Sequence, residues 1–175
     1  MVFYFYYIVI ITSSNYQITM VYQSLLSRLR SQHEAIPITL SRVTKERLHL
    51  HPAPGKWSIF DNIVHLAKYQ PVFIGRINSI LQTNGVAFDR YTAETDPEFE
   101  TWRTWELDTL LDRLQEDRMH IFSLISNFSN EELQHIGVHP KFGRLTITQW
   151  TEFFILHESH HMFTMFRLAN DVDFK

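Results

Sequence analysis

Two histidines near the C-terminus, His157 and His161, have the spacing of metal ligands. They lie four residues apart in an apolar stretch, within the segment His157-Glu158-Ser159-His160-His161. On an α-helix this spacing places both imidazoles on one face, one turn apart. A pair arranged in this way supplies two of the nitrogen ligands of a single divalent metal ion. The segment therefore predicts metal chemistry on a helix.

The same segment matches the H-E-x-x-H pattern of zinc proteases. One group of these enzymes continues with a glycine and a third histidine, at positions where this chain has Thr164 and Arg167. Another group uses a downstream glutamate, but no glutamate follows Glu158. The protease interpretation therefore lacks a third ligand. We expect that ligand to come from another helix.

The histidine pair faces the core in a helical projection of about 100° per residue, because Trp150, Phe154 and Leu168 fall on the same side. Each imidazole carries a donor and an acceptor, so a buried ring needs polar partners. Two core histidines with hydrogen bonds alone are the simpler alternative. A shared metal ion would meet the needs of both rings at once.

Three other histidines lie inside long predicted helices, namely His33, His65 and His120. His65 is the preferred third ligand because apolar residues flank it on both sides, and His120 stays open as an alternative. His139 is in the loop before the last helix. We expect it at the far end of the bundle, because the helix rises about 16 Å from its start to His157.

Two carboxylates are candidates for a catalytic base. Glu158 projects at the edge of the apolar stripe, and Asp61 lies one turn before His65. Asp61 could instead orient a ring nitrogen of His65. Its preferred role is structural, since Ser58 and Asp61 have the spacing of a capping box at the start of a helix.

Three neutral histidines leave a metal ion with at least one open position, as in catalytic sites. A metal-held thiolate could attack an electrophile, or metal-bound water with a pKa of about 7 could attack an ester or amide. A non-catalytic metal-binding stress or interaction module is the third possibility. Arg76 and Tyr69 share the face of His65 and could meet a polar or anionic substrate group, although an arginine here could also simply extend along the bundle.

Periodicity and capping residues place these side chains on four long helices, at about 20–43, 58–82, 104–127 and 146–169. Pro37 is expected to divide the first. A polar connection at 83–103 is long enough to cross the length of a bundle. No internal strand is convincing. We predict an all-α fold, a four-helix bundle with a long crossover between the second and third helices.

Composition narrows the function. The chain of 175 residues suits one domain, and its lack of cysteine excludes thiolate ligands and disulfides. A net charge of −3 without a basic run gives no support for nucleic-acid binding. The last helix is apolar nearly all round, with Ile155, Phe163 and Phe166 on the side away from the histidines. Dimerisation is the simplest account of this outer face, and a membrane-facing surface is the alternative. The lack of cysteine fits the reducing cytoplasm. We expect a cytoplasmic homodimer that acts on a small molecule.

The apolar run at 2–11 is too short for a membrane helix, which needs about 20 residues. It also lacks the positive charge that opens a signal peptide. We expect residues 1–19 to be an extension outside the domain, which then covers 20–175. A membrane-binding or partner-binding segment is the alternative.

Several motifs in order resemble the DinB superfamily over about 20–169. They are Trp57-Ser58 at a helix start, His65 seven residues later, the segment FGRLT at 142–146, and His157-x-x-x-His161 on the last helix. The resemblance implies a bundle that holds zinc, nickel or iron with His65, His157 and His161. It also implies homodimers, and enzymes that either join low-molecular-weight thiols to electrophiles or act as metal-dependent hydrolases.

Overall fold

The computed structural model describes residues 21–171, so the expected extension at 1–19 lies outside the described residues. The α-helices in this part of the chain are α1 Gln23–Ser31, α2 Ala35–Leu40, α3 Lys45–His49, α4 Ile59–Gln82, α5 Pro97–Trp102, α6 Leu107–Asn127, α7 Asn130–Leu133 and α8 Ile147–Ala169. The strands are β1 Val86–Ala87, β2 Ile136–His139 and β3 Gly143–Thr146. Short 3-10 turns lie at Gln32–Glu34 and Ala93–Thr95.

Four of these helices form the predicted four-helix bundle. Helix α4 packs against α6 and α8, and α1 packs against the same two helices. Apolar side chains at helical spacing fill the centre, among them Leu25 and Leu29 of α1, Phe73 of α4, Ile121 of α6 and Phe154 of α8. The connection between α4 and α6 is the predicted crossover. No helix in the described part of the chain combines the length and apolar character that a membrane span requires.

Capping boxes fix where the two histidine-bearing helices begin. The Ser58 hydroxyl accepts from the Asp61 amide at 3.1 Å, and the Asp61 carboxylate accepts from the Ser58 amide at 2.9 Å. Thr146 and Gln149 make the same exchange at the start of α8, with distances of 2.9 and 3.2 Å. Both caps confirm the sequence prediction. They fix the first residue of each helix and so the position of each histidine along the bundle axis.

The first helix breaks earlier than predicted. The chain leaves α-helical geometry at Gln32–Glu34, and Pro37 lies in the first turn of α2. Proline is tolerated there because the amides of a first helical turn have no partner inside the helix. The first segment also ends at Leu40, three residues before the predicted end at Val43.

A small sheet is the main departure from the prediction of a fold without strands. β1 runs parallel to β2, and β2 pairs antiparallel with β3 through a hairpin in which His139 faces Gly143. Strands of two to four residues are too short to show an alternating pattern. At Gly137 a Cβ atom would lie 2.6 Å from both Ile80 and Trp150, so only glycine lets the sheet approach the bundle this closely.

A buried polar network joins the four main segments of the bundle. The guanidinium of Arg118 and the carboxylate of Glu158 are fully buried and form a bidentate ion pair. Gln32 donates to the same carboxylate at 3.0 Å. Arg118 also donates to the Gln70 side chain at 3.2 Å and to the Leu29 carbonyl at 3.4 Å. Because its members come from the first segment, α4, α6 and α8, the network fixes how the helices are rotated against one another.

Replacing Arg118 tests this network. In Arg118→Met the Glu158 carboxylate stays buried without its guanidinium, and we expect the free energy of unfolding in urea to fall by about 3–5 kcal/mol. The double variant Arg118→Met/Glu158→Leu should recover most of the loss, because no unpaired charge remains. Arg42→Met replaces an exposed arginine and should cost less than about 1 kcal/mol. Equal losses in the two single variants would contradict the role of the network.

Candidate metal centre

The ring nitrogens of His65, His157 and His161 converge on one point between α4 and α8. His157 Nε2 lies 3.1 Å from His65 Nε2 and 3.1 Å from His161 Nε2. Each histidine offers a ring nitrogen that lies within 4.8 Å of the other two. The structure thus brings together the three residues that the sequence favoured as ligands. His120, the open alternative, is exposed on α6.

The donor set fits a divalent metal ion. Two nitrogens that each lie about 2.0–2.1 Å from a tetrahedral zinc ion are about 3.3 Å apart. Two of the observed separations are close to this value. The Nδ1 atoms of His65 and His157 are buried and have no hydrogen-bond partner among residues 21–171. In these two rings the Nε2 atoms, which point to the centre of the triad, are therefore the nitrogens placed to bind a shared ion.

Burial keeps the three imidazoles neutral. It is the main cause that lowers the pKa of His65 to about 3, of His157 to about 4 and of His161 to about 2. Charge on neighbouring histidines lowers the pKa values further, and Arg76 does the same to His157. At neutral pH the rings therefore have lone pairs available, which is the form that binds a metal.

Asn62 selects the tautomer of His161. The amide nitrogen of Asn62 donates to the Ser58 carbonyl at 2.7 Å, which turns its oxygen towards His161 Nδ1 at 2.8 Å. His161 must then carry its proton on Nδ1, which leaves the Nε2 lone pair directed at the centre of the triad. Sequence reasoning missed Asn62, which follows Asp61 directly on α4.

Both carboxylates considered as catalytic bases are bound elsewhere. Asp61 caps α4 and accepts from Arg103 Nε at 3.0 Å. It therefore has the predicted capping role and does not orient His65, whose Nδ1 has no partner in the described chain. Glu158 lies about 100° around α8 from His157, and Arg118 holds its carboxylate in a buried ion pair. Placing it at the edge of the apolar stripe did not reveal this partner, because the partner lies on another helix.

Aromatic rings enclose the triad. Trp57 contacts His65 and His161, with ring centroids 4.9 and 5.8 Å apart. Tyr69 lies against His157 at 4.7 Å. Tyr91, from the crossover, stacks over His65 at 6.0 Å. The long connection that the sequence analysis singled out thus carries a wall of the site.

Two cavities reach the triad. One has a volume of about 460 Å³ and is bordered by His65 and His157. The other has a volume of about 690 Å³ and is bordered by His161 and Trp57. The first, which we call the basic cavity, has Arg76, Arg90 and Lys141 in its lining and no acidic residue. A small molecule could therefore approach a metal ion here through either cavity.

His139 lies at the basic cavity, which corrects the expectation that it sits at the far end of the bundle. The β2–β3 hairpin folds back along α8 and places the His139 ring 5.3 Å from Trp150 and 5.1 Å from Phe153. Its Nδ1 accepts hydrogen bonds from the backbone amides of Lys141 and Phe142, each at 3.1 Å. The estimate from helix rise failed because it took no account of the hairpin.

The sequence profile of the DinB superfamily matches residues 27–165, and the chain belongs to that superfamily. Its fold is similar to that of YfiT from Bacillus subtilis, with a TM-score of 0.75, 17% identity and 91% of each chain covered. That protein is described as a probable metal-dependent hydrolase with an unusual four-helix bundle topology. The DinB-like protein YjoA from Bacillus subtilis is similar with a TM-score of 0.51 and 13% identity, over 85% of this chain and 91% of its own. No curated protein matches the sequence.

The lowered pKa values predict how acid affects the metal-free protein. Below about pH 6.5 the unfolded chain binds protons that the folded triad does not, so the free energy of unfolding is highest above that pH and falls as the pH decreases. The slope of the free energy of unfolding against pH measures how many more protons the unfolded chain binds. Removing one buried imidazole in His65→Gln should lower that number by about one between pH 6 and pH 4.5. Urea unfolding with a chelator present measures this slope. His120→Gln, which removes an exposed imidazole, is the control, and an equal change in both variants would contradict the assignment.

Proposed function

We propose that His65, His157 and His161 bind one divalent metal ion, such as zinc, nickel or iron, and that the chain is a metal-dependent enzyme. The proposed reaction joins a low-molecular-weight thiol to an electrophilic small molecule. The observation that carries the proposal is the triad itself, in which three neutral imidazoles converge where two cavities meet. A metal ion bound there would stabilise the thiolate and so supply a nucleophile at neutral pH.

The chain's own residues would position the reactants. The three histidines hold the metal, and Asn62 keeps His161 in the ligating tautomer. Trp57 and Tyr69 cover the imidazoles and limit access of water. In the transfer, a bond forms between the thiolate sulfur and the electrophilic carbon. The bond from that carbon to its leaving group breaks, the leaving group takes the electron pair, and the thiol proton passes to solvent.

Two features favour transfer over hydrolysis. Attack by metal-bound water benefits from a nearby general base, but Asp61 and Glu158 are both bound elsewhere, and the basic cavity has no acidic lining residue. A reaction between two substrates benefits from two approaches, which the two cavities would supply. A metal-dependent hydrolase is the second candidate, supported by the description of the structurally similar YfiT.

The expected homodimer has support from α8. Leu156, Phe163 and Phe166 are about half exposed on one face of this helix, and contiguous exposed apolar side chains often mark an interaction surface. We propose that a second copy of the chain covers this face. A non-catalytic metal-binding module would keep the triad but show no turnover.

Metal analysis tests the ligands. After dialysis, the wild-type protein should retain about one metal ion per chain, whereas His65→Ala, His157→Ala and His161→Ala should each lose most of it, because each removes one of three ligands. Asn62→Leu should weaken binding by about 10–100-fold, since it frees the His161 ring. His160→Ala alters an exposed neighbour and should keep the metal. Full metal content in all three alanine variants would refute the site.

A transfer assay tests the reaction. The metal-loaded protein is mixed with glutathione, mycothiol or bacillithiol and with 1-chloro-2,4-dinitrobenzene, and release of chloride is followed. We expect catalysis with at least one thiol, and a rate lower by at least about 100-fold in His157→Ala, because metal stabilisation of the nucleophile contributes several kcal/mol. Hydrolysis of a nitrophenyl ester without thiol, in place of transfer, would favour the hydrolase.

A further inference from the structure

Arg76 is a buried cation without an acidic partner. Only 9% of its surface is exposed. Its guanidinium donates to the Tyr69 hydroxyl and to the backbone carbonyl of Asp89, each at 3.0 Å. Both partners are neutral groups. In the described part of the chain Arg76 forms no salt bridge, although every other buried arginine or lysine there has a carboxylate.

Aromatic rings compensate only part of this charge. The guanidinium carbon lies 5.5 Å from the ring centres of Phe88 and Trp150, and 5.9 Å from that of Tyr69. Such contacts contribute less than a buried, hydrogen-bonded carboxylate would. Two hydrogen bonds also leave three of the five guanidinium N–H groups without a protein acceptor among the described residues. Arg76 can therefore still bind an anion.

The surroundings of Arg76 reinforce the same charge. It lines the basic cavity together with Arg90 and Lys141, which are exposed at its edge. A cavity with walls of low polarity and charges of one sign concentrates oppositely charged solutes. His65 and His157 border the same space, so an anion bound at Arg76 would lie in the cavity that opens onto the triad.

We propose that the basic cavity binds the anionic group of a substrate, a carboxylate or a phosphate, and that Arg76 is its principal anchor. The aromatic lining, with Tyr69, Tyr91 and Phe153, suits a substrate whose anionic group is attached to a flat or apolar body. The link to catalysis rests on the proposed function, since it assigns this anion to the substrate that reacts at the triad. Anion binding itself requires neither turnover nor a thiol.

The test compares benzoate with benzamide, which have the same shape and differ in charge. Calorimetric titration of the purified protein should show benzoate binding at least about tenfold more tightly, because a charge-assisted hydrogen bond to Arg76 is available only to the carboxylate. Repeating the titration with a chelator present separates a carboxylate on Arg76 from one on a metal ion. Equal affinities for the two probes, or a preference for benzoate that disappears with the chelator, would overturn the site.

Variants locate the anchor. Arg76→Gln should remove the preference for benzoate, whereas Arg42→Gln, which deletes an exposed arginine outside the cavity, should retain it. Retention in both would overturn the assignment of Arg76. If Arg76→Gln does not fold, the double variant Arg90→Gln/Lys141→Gln replaces it, because both residues are exposed, and a benzoate affinity equal to that of Arg42→Gln would then refute the basic cavity as the site.

The two proposals fail separately. Benzoate has neither a thiol nor a leaving group, so its binding does not depend on transfer chemistry. Binding of benzoate through Arg76 without any thiol transfer would keep the anion site and reject the transferase. Transfer without a preference for benzoate would do the reverse.

Discussion

The buried ion pair between Arg118 and Glu158 is the constraint on which the geometry of the site depends. Glu158 directly follows His157 on α8, and its carboxylate is held by Arg118 of α6 and by Gln32 of the first segment. A rotation of α8 that moved the histidines away from α4 would also pull Glu158 out of this pair. Because an unpaired buried carboxylate is costly, the pair holds the imidazoles towards His65.

Helix α8 therefore has two buried polar features on adjacent faces, and each is satisfied in a different way. The Glu158 carboxylate is satisfied by protein side chains, those of Arg118 and Gln32. On the histidine side, aromatic rings and burial keep the imidazoles neutral, and two Nδ1 atoms have no partner among the described residues. The Nε2 atoms are left to share a common partner. A cation at their focus accounts for this arrangement better than hydrogen bonds between neutral rings, which can satisfy only some of the lone pairs.

Much of this architecture could be predicted from the sequence. The capping boxes at Ser58 and Thr146 gave both helix starts, and the four-residue spacing of His157 and His161 gave their shared face. These signals are local, so they survive without knowledge of the fold. The features that sequence reasoning missed depend on contacts between distant parts of the chain. The partner of Glu158 and the contact of Asn62 with His161 depend on residues 40 and 99 positions away. The return of His139 along α8 depends on strands too short to show a pattern.

The position of a metal ion is the most direct test of the central claim. Crystals of the protein loaded with nickel or zinc, with diffraction data collected on both sides of the absorption edge of that metal, would show where the ion lies. We predict one anomalous peak at the focus of the triad, about 2.0–2.2 Å from the Nε2 atoms of His65, His157 and His161. A loaded crystal with no peak at that point, or with its peak at other side chains, would contradict the assignment of these three residues as the metal site.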